Sequence, residues 1–462
     1  MWAARLGGRA AALTFLSVFP AVAEPPASSP APAQTDRFEL SARSETYAAL
    51  FRRALSPGPA GSLVETSTAL PLSQYVFLGA RNLDTSWRKD SVDLELAAWT
   101  RFWPTSSTHE QPVEGDVQTA SVTYRQDGAL VRFGRQQFVG GAARFTRFDG
   151  ALLGMDLGAG FSAQAYGGLT VLPRWDSRPG YHHLGSGADA LLRDPEAYQQ
   201  PDRSGHWLAG GRLGFSSPRF SASGSFHEQR RHGELSHRNL GLDARANIDD
   251  LLVFSGSAIL DADSRRLADS RLWADLRPWE PLGLSIEYLH THPALWLSRQ
   301  SVLSVFTTDR FDEIGTMATL RALKGLTLEG SGFLTLYDDN RPGARSEGTV
   351  RWLADARTVL RVSYVRLLAP SNGYHSLRTS LSRHLPWQTS ATLEAYAYFY
   401  DHLLLGYRSS SVYAGTLAYE PGISWRFLWG ASLARTPYAA LDAQTLLRVV
   451  YDFGYSNRAG AR

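Results

Sequence analysis

Residues 388–402 read QTSATLEAYAYFYDH. Ala391, Leu393, Ala395, Ala397 and Phe399 alternate with Thr392, Glu394, Tyr396 and Tyr398. A period of two sends the first set to one face of a strand and the second set to the other. One face is apolar from end to end. The run also exceeds the roughly 5–6 residues usual for a strand of a soluble protein. It matches the roughly 9–11 residues that cross a bilayer at a tilt.

The same unit recurs from residue 91 onward. In 91–103, Val92, Leu94, Leu96, Ala98 and Phe102 alternate with Asp93, Glu95, Trp99 and Arg101. In 218–230, Phe220, Ala222 and Phe226 alternate with Ser221, Ser223, Ser225 and His227. In 325–337, Leu326, Leu328, Leu334 and Leu336 alternate with Thr327, Glu329, Ser331 and Thr335. Short connections such as Asp127-Gly128, Ala159-Gly160, Lys324-Gly325 and Pro386-Trp387 alternate with longer ones at 104–115, 139–147, 172–204, 293–311 and 436–442. Short periplasmic turns opposite long external loops characterise transmembrane barrels. The last strand, 443–455, presents Leu447, Val449, Tyr451, Phe453 and Tyr455 on one face, an apolar stripe ending in aromatics.

These patterns predict an all-β fold: a transmembrane antiparallel β-barrel of about 18–20 strands over 72–455, with 22 as the upper bound. A large soluble sandwich or propeller would not need outward faces so long and so continuously apolar. The barrel also explains the composition. Only 44% of residues are hydrophobic because lipid-facing and water-facing positions cancel. A net charge of +3 gives no nucleic-acid signal.

The ends add targeting. Arg5 and Arg9 precede the short apolar run Ala10–Val18, and Ala21-Val22-Ala23 forms a cleavage site. Residues 1–23 therefore read as a signal peptide and 24–35 as a flexible leader. No run of 18 apolar residues follows, so no transmembrane helix is expected. The chain is expected in the outer membrane of a Gram-negative bacterium, embedded in its lipid. Within 36–71, residues 36–56 read as a short periplasmic helix, because Tyr47, Leu50, Phe51 and Leu55 share one face at helical spacing. Residues 456–462 form a tail.

The polar phase of the strands predicts the lumen lining. It places Trp99, Arg101, Arg132, Arg212, Arg245, Arg271, Arg351, Arg361, Arg378, Tyr396, Tyr398 and Arg426 inside, with carboxylates such as Asp243, Glu287, Glu329, Glu394 and Asp452 and a slight basic excess. Such arginines either pair with carboxylates as ladders in the wall or bind anionic groups bidentately, while the aromatics stack on sugar rings. Loop 172–204 is the longest, and either it or the leader helix is the expected constriction. No G-x-S-x-G, H-E-x-x-H or P-loop occurs, so no enzymatic role, cofactor or metal is expected.

Val131-Arg132-Phe133-Gly134-Arg135-Gln136-Gln137-Phe138, followed by Arg147-Phe148-Asp149-Gly150, resembles the alginate-export porin family. The similarity covers residues 90–170. It implies a monomeric barrel that passes a polysaccharide, an anionic exopolysaccharide in that family, outward through an Arg-containing lumen. It also implies a pore role for Arg132, Arg135, Gln136 and Arg147, and a barrel partnered with a periplasmic polysaccharide-export protein fits as well. The lumen read here is less basic than such a path requires, which leaves a less charged glycan open. The alternative is a general or substrate-specific porin that takes up small solutes.

Overall fold

The computed structural model describes residues 38–55, 65–84, 90–104, 113–171, 205–249, 251–296, 310–338, 341–370, 372–404, 406–437 and 439–456. The signal peptide, the leader, loop 172–204 and residues 457–462 lie outside them. Strands β1 (Glu39–Leu55), β2 (Glu65–Ala69), β3 (Leu72–Asp84), β4 (Asp90–Phe102), β5 (Val113–Gln126), β6 (Ala129–Val139), β7 (Phe145–Gly158) and β8 (Phe161–Thr170) come first. Next are β9 (His206–Ser216), β10 (Phe220–Arg231), β11 (Glu234–Ile248), β12 (Leu252–Asp261), β13 (Arg266–Trp279), β14 (Leu282–Thr291), β15 (Phe311–Leu323) and β16 (Leu326–Tyr337). The ring finishes with β17 (Pro342–Asp355), β18 (Thr358–Leu368), β19 (Tyr374–Leu385), β20 (Thr389–Leu404), β21 (Tyr407–Tyr419), β22 (Trp425–Arg435) and β23 (Ala439–Ser456).

Apart from β2 and β3, each strand pairs antiparallel with the next, and β23 returns to β1 from Glu39–Ser456 to Leu55–Ala439. Both β2 and β3 pair with β1, one above the other, so they form a single wall strand interrupted at Leu70-Pro71. The result is a closed barrel of 22 strands. Closure joins the first strand to the last, which is what a strand-built wall needs in lipid. Turns at the lower end are tight. At Asp127-Gly128 both residues have positive φ, 44° and 83°. Two-residue hairpins whose twist matches the strands require this conformation.

The helix expected over 36–56 is not formed; residues 39–55 are β1. Tyr47 and Phe51 are four apart, a spacing that shares a face in a strand as well as in a helix. Leu50 then falls on the opposite face, where it is exposed. Pairing with β23 on one side and β2/β3 on the other gives this segment ladders on both flanks, which an isolated short helix cannot match. The barrel therefore begins at Glu39 rather than residue 72, and β1 with β2/β3 raises the strand number from the expected 18–20 to 22. An inner cluster of Tyr47, Phe51, Tyr75, Trp99, Trp103 and Leu446 backs this junction.

The outer phases carry the apolar belt. Leu393, Leu334, Ile286, Leu242 and Leu213 are all exposed and all point away from the lumen.

Candidate functional site

The lumen is defined by the phase opposite that belt. Cross-strand register carries this phase around the ring: Ser223 faces Asp243, Asp243 faces Ser257, and Ser257 faces Arg271. Further round, Glu329 faces Thr349, Thr349 faces Ser363, and Ser363 faces Arg378.

Most expected lumenal arginines lie on this inner phase, and most are held by a carboxylate one or two strands away. Arg212 Nη2 is 3.5 Å from Asp243 and its Nε donates to Ser223. Arg271 pairs with Glu287 at 2.6 Å and sits over the Trp273 ring. Arg361 reaches Glu329 at 3.4 Å. Arg426 meets Asp452 at 2.5 Å. Arg378 pairs with Glu394 at 3.3 Å and lies 4.7 Å from the Tyr396 ring, whose hydroxyl donates to the same carboxylate. Tyr398 packs edge-on against Tyr374. Arg132 donates to the buried Thr123 hydroxyl at 2.9 Å. Arg245 and Arg351 are exposed to the lumen and make no ion pair among the described residues; Arg351 lies directly opposite Arg361.

Trp99 and Arg101 are inner-facing but buried. Arg101 bridges Glu114 at 3.2 Å and the Ser73 hydroxyl, and its guanidinium lies within cation–π range of Trp99 and Trp103. These two side chains build wall rather than line water.

Arg135 and Arg147 differ from the expectation. Their register puts them in phase with Phe133, Leu153 and Met155, which are exposed on the outer surface. Adjacent residues on a strand cannot share a face, so Arg135 and Gln136 cannot both point inward. Gln136 takes the inner face, fully buried, and donates to Gly150 O at 3.1 Å. Arg135 forms a two-pronged pair with Asp149, at 2.8 and 2.9 Å. Asp116 accepts from both Arg135 and Arg147, at 3.3 and 3.2 Å.

The expected basic excess is also absent. Glu45, Asp261, Asp269, Glu313, Glu347 and Asp442 share the inner phase and were not in the predicted set. The lumen is a mixed wall of guanidinium and carboxylate groups.

A narrowing element was also missed. The connection 140–144, read from sequence as part of a long external loop, folds into the lumen as a single 3-10 turn over Gly141–Ala143. Ala142 N donates to Ser225 Oγ at 2.8 Å, Asn239 Nδ2 donates to Ala142 O at 3.3 Å, and Arg144 reaches Asp269 at 3.5 Å. All three partners are inner-phase residues of β10, β11 and β13. The approach is possible because Gly141 has φ +55° and a Cβ there would lie 2.4 Å from Ser225 Oγ. Across the contact, a Cβ on Gly241 would lie 2.4 Å from Ala142 N. The signal was present in Gly140-Gly141-Ala142-Ala143, a run with no bulky side chain, suited to close packing rather than to an external loop. Gly241→Val is expected to push this turn off the wall, cost about 1–3 kcal/mol of stability and widen the lumen. Denaturant titration and single-channel conductance in a planar bilayer would register both effects.

No family model matches the chain, and no curated protein matches it. Several solved barrels do. OccK9 (OpdG) of Pseudomonas aeruginosa aligns at 12% identity and a TM-score of 0.40, covering 90% of this chain and 98% of that one. OccAB3 of Acinetobacter baumannii aligns at 8% identity and a TM-score of 0.44, covering 90% and 99%. The P pilus usher PapC translocation pore aligns equally well, at 8% identity and a TM-score of 0.44, with the same coverage. The chain is similar to these proteins in barrel architecture, and the likeness extends no further.

Proposed function

We propose that this chain is an outer-membrane channel through which small hydrophilic solutes diffuse. The closed barrel with an outward apolar belt supports the location. The observation that carries the reading is the lumen: alternating arginines and carboxylates, close to electrically balanced, narrowed by a packed inward turn. Such a wall offers many weak polar contacts and no single deep trap, as conduction requires. The export reading drew on residues 131–150. With Arg135 and Arg147 outside the lumen and Gln136 buried, only Arg132 of that set reaches the channel wall, so uptake of small solutes is the better-supported function.

Reconstitution into a planar bilayer tests this. The protein is expected to form open, ohmic channels of weak ion selectivity. In the Arg351→Glu/Arg361→Glu double variant, both side chains invert their charge. The reversal potential in a salt gradient should then move clearly toward cations. A silent barrel, or a selectivity indifferent to this change, would sink the channel reading.

A further inference from the structure

Two like charges meet on the inner wall. Arg351 on β17 lies directly opposite Arg361 on β18. The same row carries Thr327 on β16, opposite Arg351, and Ser380 on β19, opposite Arg361. Four adjacent strands thus present hydroxyl, guanidinium, guanidinium and hydroxyl at one height, hydrogen-bond donors throughout. Arg351 stands four residues before Asp355, where β17 ends, so the row sits near the lower mouth of the lumen.

Side chains directly opposite on antiparallel strands have Cβ atoms about 4.5–5.5 Å apart, and like charges placed there destabilise the pairing. Other inner arginines avoid the conflict: Arg212, Arg271, Arg378 and Arg426 each meet a carboxylate. Glu329 holds Arg361 through one contact at 3.4 Å, and the Arg361 and Glu329 side chains are 46% and 39% exposed. Solvent screening makes such a contact weak. Arg351 is exposed and makes no ion pair among the described residues. Arg245 offers the contrast. It stands four residues before the lower turn at Asp249, a matching height, and makes no ion pair either. Its neighbours across the ladder are Ser221 and Ser255, so it is a lone cation.

Two guanidinium forks side by side suit one dianion. A carboxylate carries a single charge and two oxygens, and one fork satisfies it. A phosphate monoester carries about −1.5 to −2 charges at neutral pH and three strong acceptor oxygens. That is enough for both forks and a flanking hydroxyl. Binding would relieve the repulsion that the empty row bears. We propose that Arg351 and Arg361, flanked by Thr327 and Ser380, form a weak binding station for the phosphate dianion, free or as the head of a small phosphate ester, as it passes through the lumen. The proposal rests on the channel reading for the solute's access to the row.

The test is single-channel recording from the full protein in a planar bilayer, in chloride at constant ionic strength. Inorganic phosphate, glucose 6-phosphate and acetate are added in turn on the side of the short turns. Both phosphates are expected to reduce the current at concentrations where acetate does not. Arg351→Gln should raise the half-blocking concentration about tenfold, through loss of a charge-assisted contact. Arg245→Gln removes the same charge from the lumen and should leave that concentration in place. If Arg351→Gln fails the heat-modifiability check for folding, Arg361→Gln supplies the comparison. Earlier block by glucose 6-phosphate assigns the station to an ester, and earlier block by inorganic phosphate assigns it to the free ion. Equal block by acetate, or an equal shift in Arg245→Gln, overturns the station and leaves the channel intact. A native protein that does not conduct overturns the channel. Broadening of the phosphorus resonance of inorganic phosphate by the detergent-folded native protein, and not by Arg351→Gln, would then keep the station; no broadening would overturn it as well.

Discussion

Asp116→Ala is expected to lose about 3–5 kcal/mol of folding stability, the cost of leaving buried cations without their shared partner. Its carboxylate is buried against Arg147, which is equally buried, and against Arg135, which is little more exposed. Alanine would remove the carboxylate that these two guanidinium groups share in a low-dielectric wall. The control is Asp249→Ala. Asp249 pairs with Arg219 at 3.4 Å in a lower turn, where the two side chains are 75% and 81% exposed. Solvent screening limits that pair to about 0–1 kcal/mol. Urea titrations of the vesicle-folded protein should separate the two variants plainly. Matching midpoints would mean that the cluster is solvated and contributes nothing to the wall.

The second large effect concerns orientation. Leu393 is 62% exposed on the outer face of β20. A charged side chain at such a mid-wall, lipid-facing site costs about 2–4 kcal/mol. Leu393→Arg is therefore expected to shift the folding equilibrium by that amount. Tyr396→Arg, three residues along the same strand but facing the lumen, should change conductance with a much smaller loss of stability. A reversed order, with the Tyr396 variant the less stable, would mean that the two faces had been exchanged.

Much of the wall was legible from period-two alternation alone. At 91–103 and 388–402 the apolar and polar sets map without slip onto the outer and inner faces of β4 and β20. The ends were less legible for identifiable reasons. Tyr47 and Phe51 satisfy helical and extended spacing together, and only the partner strand, some 400 residues away, decides between them. Arg135 was misplaced because a resemblance motif names residues without their phase, and strand geometry forbids neighbours from sharing a side. The inward turn at 140–144 gave no hydrophobic signal; its partners Ser225, Asn239 and Asp269 come from strands remote in sequence. The basic excess was overcounted because Glu45 lies in a segment whose spacing also fits a helix, and Glu347 in a strand whose alternation is weak. Lumenal arginines such as Arg271, Arg361 and Arg378 were correctly placed, since their strands alternate cleanly.

The pairing of β1 with β23 has a consequence for how the protein is made. Glu39 meets Ser456, so the first strand to emerge during synthesis waits for the last. Joining positions so far apart carries a large loop-closure cost and makes this step slow. Until it happens, the nascent chain carries two open sheet borders and an uncovered greasy exterior, both of which invite aggregation. Pairing of the terminal strands is the closing step that this topology imposes. A chain truncated before Ala439 would remain an unclosed sheet.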